Sequence, residues 1–182
     1  MKNNSKRALP LSKVYQYMEP GPVIMVTTSH NDKPNVMTMS WHMPVEFTPP
    51  QIAIVMGAED YSFSLLKATG ECVINIPDAS LVKKVVGVGN CSGRDVDKFE
   101  KFKLTKEEAS KVEPPLVKEC FANFECKVID TTLMNTYNIF IVEVVAAWVA
   151  KGRKQHHTLH HWGHGRFAIE GKMVKLYSPN TK

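Results

Sequence analysis

The segment from Asn35 to Pro44 alternates between two kinds of side chain with period two. Folded as a strand, it would carry hydroxyl groups on one face and soft apolar side chains on the other. Because the segment offers no charged side chain to water and Pro44 cannot donate to a sheet ladder, we expect the polar face to meet a ligand or a buried network. A barrel strand whose hydroxyls bond to neighbouring strands explains the segment equally well. The two faces are Val36, Thr38, Ser40 and His42, and Met37, Met39, Trp41 and Met43.

Other apolar runs predict further short strands, joined by turns and helices. A turn over 30–34 links the first strand to the one that ends at Trp41. Three helices are predicted: 61–69 after Asp60, 79–86 after Asp78, and a brief one opened by a capping box at 105–108. Many short strands with helices between them, and no regular alternation of strand and helix, predict a mainly β fold, a barrel with α insertions. The strands are 23–28, 45–47, 51–56, 72–76, 121–129 and 139–149, with a terminal hairpin of 166–169 and 173–177.

The length of 182 residues, with 43% hydrophobic and 23% charged residues, is typical of one globular domain. We therefore predict a single domain over 1–182, with a tail at 1–12 and a His-rich loop and hairpin at 150–182. No apolar run has the form of a signal core or a membrane span, so a cytoplasmic location without membrane contact is expected. The net charge of +5 is scattered, which argues against nucleic acid and favours phosphorylated small molecules or an acidic partner.

The four cysteines form no Cys-x-x-Cys pair and lie in or beside apolar runs. This distribution predicts buried free thiols in a reducing compartment rather than a disulfide frame. The four are Cys72, Cys91, Cys120 and Cys126.

Two segments could hold an anion. The glycines of 87–93 have the wrong spacing for a dinucleotide fingerprint and follow a helix, so a Rossmann site is rejected. The loop 92–98 could present backbone N–H groups and a cation to a phosphate, although a surface turn with helix caps explains it equally well. The helix start at Tyr61 and Ser62 offers N–H groups and hydroxyls to the same kind of ligand, and ordinary capping is again the alternative. No nucleophile elbow, paired-carboxylate motif or P-loop supports a hydrolase or a kinase.

Histidines are concentrated in residues 156–164. On a helix, four of them would align with spacing i, i+3, i+4 and i+7 and could bind zinc, nickel or copper. Gly163 and Gly165 weaken a helix there, and the cluster contains no Asp or Glu, so we favour a titratable loop beside an active site and predict no metal. The four histidines are His157, His160, His161 and His164.

Four motifs in a fixed order carry a resemblance to a known family. They are the strand from Asn35 to Trp41, the Tyr61-Ser62 helix start, the run from Cys72 to Pro77, and Ser92-Gly93-x-x-x-Asp97-Lys98-Phe99. With them, the region from about Gly21 to Val149 resembles the flavin reductase-like, FMN-binding split-barrel family. That family includes flavoredoxins, ferric reductases and the small reductase components of two-component monooxygenases.

The resemblance implies a homodimer whose subunit is a six-stranded antiparallel split β-barrel of Greek-key type. FMN would bind non-covalently near the dimer interface. By position, the ring wall would be Asn35, Met37, Thr38, Met39, Ser40 and Trp41, the ribityl-phosphate end Tyr61, Ser62 and Ser64, the ring edge Asn75, Ile76 and Pro77, and the closing loop Ser92, Gly93 and Lys98.

The resemblance also implies an FMN-dependent oxidoreductase that passes electrons from NAD(P)H to a flavin, ferric or protein acceptor. Many family members carry a histidine associated with nicotinamide use before the last long strand, and this chain has Asn135-Thr136-Tyr137-Asn138 there. This departure favours an alternative function, a flavoredoxin-type electron carrier that is reduced by a protein partner. A residue of 156–164 could instead take the place of the missing histidine in nicotinamide use. A third reading is a non-redox protein, either a metal-binding module built on 156–164 or a flavin-storage or sensing domain.

Overall fold

The computed structural model describes residues 21–151 and 157–172. Eleven strands lie in this part of the chain, together with four α-helices and a short 3-10 helix at Ala79–Leu81. The helices are α1 (Tyr61–Thr69), α2 (Val82–Gly89), α3 (Lys98–Lys101) and α4 (Met134–Tyr137). The strands are β1 (Ile24–His30), β2 (Lys33–Met39), β3 (His42–Phe47), β4 (Pro50–Val55), β5 (Glu71–Ile76), β6 (Lys106–Glu107), β7 (Leu116–Val117), β8 (Ala122–Asp130), β9 (Ile139–Val149), β10 (Leu159–His161) and β11 (Phe167–Ile169).

Seven antiparallel strands form one large sheet in the order β2-β1-β5-β8-β9-β4-β3. The outermost strands, β2 and β3, follow each other in the chain and are joined through Ser40 and Trp41. Ile24 of β1 and Ile54 of β4 lie near opposite ends of this order, yet they belong to one buried cluster. The sheet therefore curls around a single core, and the predicted mainly β barrel with α insertions is confirmed.

The sheet has seven strands, one more than the six that the family resemblance implies. The strand β3 lies at one edge of the sheet and pairs with β4 through its backbone, while its side chains, apart from half-buried His42, are exposed. The sequence predicted its second half, 45–47, as a strand, and the structure extends that strand back to His42.

The β1–β2 hairpin turns at Asn31 and Asp32, whose φ angles of 51° and 59° fit a two-residue type I′ turn. In β2 the predicted alternation is present. Val36 is buried against Val85 and Val88 of α2, whereas Met39 lies in the core enclosed by the sheet. The strand therefore separates two apolar cores, one inside the barrel and one beneath α2.

The helices at 61–69 and 79–86 are confirmed with small changes. α1 ends at Gly70, which has the left-handed φ of 70° expected of a helix stop. The second prediction covers the 3-10 helix, where the Asp78 carboxylate accepts from Ser80 N at 3.1 Å, and most of α2, which continues to Gly89. None of the helices within 21–151 and 157–172 is long and apolar enough to cross a membrane.

One prediction of local structure is wrong. Residues 105–108 do not open a helix, because Thr105 donates to the carboxylate of Glu119 and the next two residues pair with β7. The helical alignment of the four histidines, which was the disfavoured alternative, is not formed. Residues 159–161 form β10, and a turn with positive φ at Gly163 and His164 follows. The strand β11 pairs with β10, while the partner predicted for it, 173–177, lies outside the described residues, as do the tail 1–12 and His156.

All four cysteines are free thiols, as predicted. Cys72 and Cys126 are opposite each other on β5 and β8 inside the core. Their shared hydrogen bond and burial raise the pKa of Cys72, and burial raises that of Cys120. Both therefore stay protonated, unreactive core thiols, whereas Cys91 is only half-buried.

Candidate functional site

A polar cleft of about 390 Å3 opens where β2, the start of α1 and the loop before α3 meet. It is rich in charged and hydrogen-bonding groups. Its lining residues are Asn35, Met37, Glu59, Asp60, Tyr61, Ser62, Gly89, Asn90, Cys91, Ser92, Gly93, Arg94 and Lys98.

Asn35 forms the floor of the polar cleft and is 3% exposed. Its Nδ2 donates to Ser62 Oγ at 2.8 Å, which ties β2 to the first turn of α1. Its Oδ1 is buried and accepts no hydrogen bond from the residues that the structure describes. Because an unpaired buried acceptor costs about 1–3 kcal/mol, this oxygen is suited to a donor supplied by a ligand.

Gly93 brings the loop backbone directly onto Asn35. A Cβ at this position would collide with Asn35 Oδ1 and would lie 3.2 Å from Tyr61 Cδ1. The absence of a side chain at position 93 therefore keeps the cleft open at its narrowest point.

Two cations border the polar cleft. The Lys98 ammonium is buried and donates to Val88 O at 2.9 Å, and burial lowers the pKa of Lys98 despite the opposing influence of nearby Cys91 and Asp60. Arg94 donates to Glu59 O at 2.9 Å, and its guanidinium lies 5.3 Å from the centre of the Tyr61 ring. Both cations are held in place by protein contacts, which suits an anionic ligand group.

The N-terminus of α1 lies at the same cleft, which Tyr61 and Ser62 line. Asp60 precedes the helix but does not cap it, because its Oδ2 accepts from Gly57 N at 3.0 Å instead. The positive end of the helix dipole therefore adds to the two cations.

An apolar cleft of about 350 Å3 adjoins the polar one, and the two share Gly89 and Asn90. No Asp, Glu, Lys or Arg of the described chain lines it. On one side, Thr38 Oγ1 donates to Val85 O at 2.7 Å, which fixes β2 against α2. The lining residues are Val23, Thr38, Met39, Ser40, Val85, Val86, Gly89, Asn90, His161, Gly165 and Phe167.

Part of the apolar cleft is lined by residues of β10, β11 and the turn between them, which we call the C-terminal hairpin (residues 159–169). Val23 N donates to Leu159 O at 2.7 Å, and the Leu159 side chain is fully buried in the core beneath α2. This docking carries His161 and Phe167 to the cleft, with their ring centres 5.0 Å apart. Part of the histidine cluster thus lies beside the site, and no group of three His, Cys, Asp or Glu in the described ranges is arranged to hold a metal ion.

Comparison with known proteins decides the family. A family model described as flavin reductase like domain matches residues 17–170. The chain belongs to the flavin reductase-like family. An uncharacterized protein from Archaeoglobus fulgidus is 39% identical over 114 residues, a match that covers 63% of this chain and 64% of that protein. The chain thus spans just under two thirds of that relative's length.

Solved structures share the fold of this flavin reductase-like chain. A flavoredoxin from Methanosarcina acetivorans has a TM-score of 0.83 at 23% identity, with 97% of each chain covered. An FMN-binding domain of a flavin reductases-like enzyme from Shewanella baltica has a TM-score of 0.80 at 24% identity, with 94% of this chain and 97% of that chain covered. The resemblance carried by the ordered sequence motifs is confirmed.

The structure brings together ten of the fifteen residues that the family resemblance assigns to a flavin. The other five lie outside both clefts: Trp41 and Ser64 are exposed, and the last three lie at the end of β5. Contact of any of the fifteen with a flavin stays a prediction. The polar cleft contains Asn35, Met37, Tyr61, Ser62, Ser92, Gly93 and Lys98, the apolar cleft contains Thr38, Met39 and Ser40, and the remaining five are Trp41, Ser64, Asn75, Ile76 and Pro77.

The Asn75 side chain is held by hydrogen bonds to neighbouring strands. Its Oδ1 accepts from Val117 N at 2.9 Å and from Asn123 Nδ2 at 2.8 Å, while its Nδ2 donates to Met25 O at 3.0 Å. The amide is fully buried and its hydrogen bonds tie β5 to β1, β7 and β8. These bonds leave little capacity for a ligand at this side chain.

Several cleft residues of this flavin reductase-like chain were missing from the predicted site. Arg94 had a signal, since a cation after a Ser-Gly turn is a common anion-binding feature. His161 and Phe167 had only the weak signal of a His-rich segment followed by an aromatic residue. The others are Glu59, Asp60 and Cys91 in the polar cleft, Val23, Val85, Val86 and Gly165 in the apolar cleft, and Gly89 and Asn90 in both.

The residues present fit a flavin nucleotide. The unpartnered Asn35 Oδ1 is an acceptor for a hydroxyl, and Gly93 leaves the space that a Cβ would fill. The polar cleft supplies cations for a phosphate, and the uncharged apolar cleft offers a surface for a flat ring.

Proposed function

We propose that the protein binds FMN non-covalently across the two clefts and acts as an oxidoreductase that exchanges electrons with NAD(P)H and a second acceptor. The observation that carries this proposal is the pair of adjoining clefts of opposite character, one charged and one uncharged, which share Gly89 and Asn90. FMN has the matching division into a phosphorylated polyol and a flat ring. The Shewanella baltica relative of the same fold is an FMN-binding domain, which agrees with this proposal.

The phosphate end of FMN belongs in the polar cleft. Lys98 and Arg94 provide positive charge, and the first N–H groups of α1 with the hydroxyls of Ser62 and Ser92 provide donors. Asn35 Oδ1 would accept a hydrogen bond from a ribityl hydroxyl, which would satisfy this buried acceptor.

The ring belongs in the apolar cleft, against β2. Met39 supplies polarisable apolar surface there, and the Thr38–Ser40 backbone is the source of fixed polar groups. The isoalloxazine, when bound, supplies two-electron chemistry with a reduced pyridine nucleotide. The protein contributes binding, orientation and exclusion of water, and its own residues need not transfer a proton to the ring.

The first test is an absorbance spectrum of the purified protein, with added FMN if needed, before and after anaerobic addition of NADH or NADPH. We expect flavin bands that bleach with saturable kinetics. A colourless protein that takes up no added FMN would overturn the proposal.

A second candidate is an electron carrier that is reduced by a protein partner. It is favoured by Tyr137, which is 61% exposed at the position where many family members have the nicotinamide-associated histidine. The Methanosarcina acetivorans protein of the same fold is a flavoredoxin. Slow flavin reduction whose rate rises linearly with NADH or NADPH concentration, without saturation, would support this carrier and exclude the reductase.

We also propose that the protein is a homodimer of single-domain subunits in the cytoplasm. Large apolar side chains are exposed along β3 and in the second half of β9, a distribution typical of a subunit interface. The exposed side chains are Met43, Val45, Phe47, Val145, Trp148 and Val149.

The proposed location in the cytoplasm has separate support. Four free cysteines are consistent with a reducing compartment.

A further inference from the structure

The C-terminal hairpin is rigidly attached beside the apolar cleft. Its first strand is fixed to the start of β1 by the Val23–Leu159 hydrogen bond of 2.7 Å and by a β-bridge between Pro22 and His160. Leu159 is fully buried. Because burial of one leucine contributes about 1.5–3 kcal/mol, the hairpin has an anchor of its own, independent of any ligand.

The direction of the His161 side chain follows from this anchor. In a strand, residues two apart face the same side, so His161 shares the inward face of Leu159. It reaches the apolar cleft, whereas His160 faces the other way and contacts Thr158 Oγ1 at 2.9 Å through its Nε2. The two adjacent histidines therefore have different surroundings.

Phe167 holds the His161 ring in place. The two residues are register partners on β10 and β11, and their rings are 5.0 Å apart with an interplanar angle of 39°. Both line the apolar cleft, where they form an aromatic wall beside the surface that Thr38, Met39 and Ser40 contribute. A paired aromatic wall in an uncharged cleft is suited to stack against a flat ring.

The cleft stays open next to this wall. Gly165 lines it, and a Cβ added there would meet no atom within 4 Å. The φ angles of Gly163, His164 and Gly165, at 73°, 52° and 70°, turn the chain between the two strands without placing a side chain at position 165. A second molecule can therefore approach along the hairpin side.

We propose that His161 and Phe167 form the subsite for a second flat ring, the pyridine or quinone ring of the electron-exchange partner, with His161 as its positioning residue. The inference deepens the proposed function and rests on FMN occupying the β2 side of the same cleft. The groups that suit FMN come from β2, α1 and the loop before α3, whereas the aromatic wall comes from a separate element, the C-terminal hairpin. That separation assigns the wall to a different ligand.

The experiment compares His161→Ala with wild type in FMN-loaded protein, with His160→Ala as the matched control on the opposite face of the same strand. FMN affinity is measured by fluorescence titration. Ring binding is measured as the half-saturating concentration of NADH for flavin reduction, and of menadione for reoxidation of the photoreduced protein. His161→Phe tests whether an aromatic ring alone is sufficient.

For His161→Ala we expect the half-saturating concentration of at least one probe to rise about tenfold, with FMN affinity changed by less than about threefold. His161→Phe should restore most of the loss, and His160→Ala should behave as wild type. Weaker FMN binding in His161→Ala would overturn the inference, because the wall would then belong to the flavin subsite. Unchanged half-saturating concentrations of both NADH and menadione in His161→Ala would also overturn the inference. So would a wild-type protein that saturates with neither probe. Wild-type protein that binds no FMN is a different result, which overturns the proposed function itself.

Discussion

The side-chain oxygen of Asn35 occupies the position into which the Cβ of any residue other than glycine at position 93 would project. Asn35 cannot easily withdraw, because its Nδ2 is held by Ser62 Oγ at 2.8 Å. The contact therefore fixes both the width of the polar cleft and the identity of residue 93.

Gly93→Ala should weaken FMN binding by at least about tenfold, since the added methyl group displaces Asn35 or pushes the loop away from it. The measurement is a fluorescence titration, with circular dichroism to show that the fold is kept. Gly171→Ala is the matched control, because a Cβ there meets no atom within 4 Å. Equal FMN affinity in both variants would place the ligand elsewhere.

Lys98 should make FMN affinity depend on pH. Burial lowers the pKa of Lys98, and a bound phosphate favours the charged ammonium. Affinity should therefore fall as pH rises through this lowered pKa, at a pH below the usual range for lysine titration. Lys98→Met should bind FMN about tenfold to a hundredfold more weakly and lose this pH dependence. Lys101→Met, an exposed position on the same helix, should retain both the affinity and the pH profile of wild type.

Glu125 should contribute strongly to stability. Burial of its carboxylate raises the pKa, but hydrogen bonds from Ser110, Trp148 Nε1 and Lys111 N outweigh that effect and hold the pKa below its usual value. Its contribution is therefore present above the ordinary glutamate pKa and is lost as pH falls through the lowered one. Glu125→Gln should cost about 2 kcal/mol of unfolding free energy at neutral pH.

Urea unfolding followed by tryptophan fluorescence measures this cost at several pH values. Glu108→Gln, an exposed position on the loop that carries Ser110 and Lys111, serves as the control. The difference between Glu125→Gln and wild type should shrink in acid, and a difference that grew instead would contradict the assignment.

Phe47 should be a contact of the homodimer. Its side chain is 81% exposed in the single chain, on a strand with two further exposed apolar residues. Phe47→Ser should raise the dimer dissociation constant about tenfold or more, measured by sedimentation equilibrium. Lys67→Ser, an exposed change on α1, should leave the dimer intact. A wild-type protein that sediments as a monomer would disprove the homodimer.

Sequence patterns predicted those parts of the fold in which local chemistry and tertiary pairing agree. β9 has the predicted bounds of 139–149 because its dense β-branched and aromatic residues lie in a central strand. The pattern at 105–108 also fits a helix cap, but Glu119, fourteen residues further on, takes the hydrogen bonds of Thr105. A hydrogen-bond partner this distant in sequence cannot be recognised from the residues around 105–108.

The same limit applies to the site. The loop 92–98 could be singled out from the sequence because a Ser-Gly turn followed by a lysine is a local feature, and the structure places Ser92, Gly93 and Lys98 in the polar cleft. The position of His161 was not, because it depends on Leu159 packing beneath α2 and on the backbone pairing with Val23. The helical spacing of the histidines was a coincidence of sequence that the strand conformation of 159–161 removes.

The pairing of β4 with β9 joins Gln51 to Glu143 and leaves the barrel open until the last long strand is in place. During synthesis, the hairpins β1–β2 and β3–β4 can form early. The second edge of β4 has no pairing strand until β9, nearly a hundred residues later, has been synthesised. Folding of this chain is therefore controlled by a late, long-range closure, which is slow compared with local pairing. Until that closure, the unpaired edge of β4 is open to association with another strand.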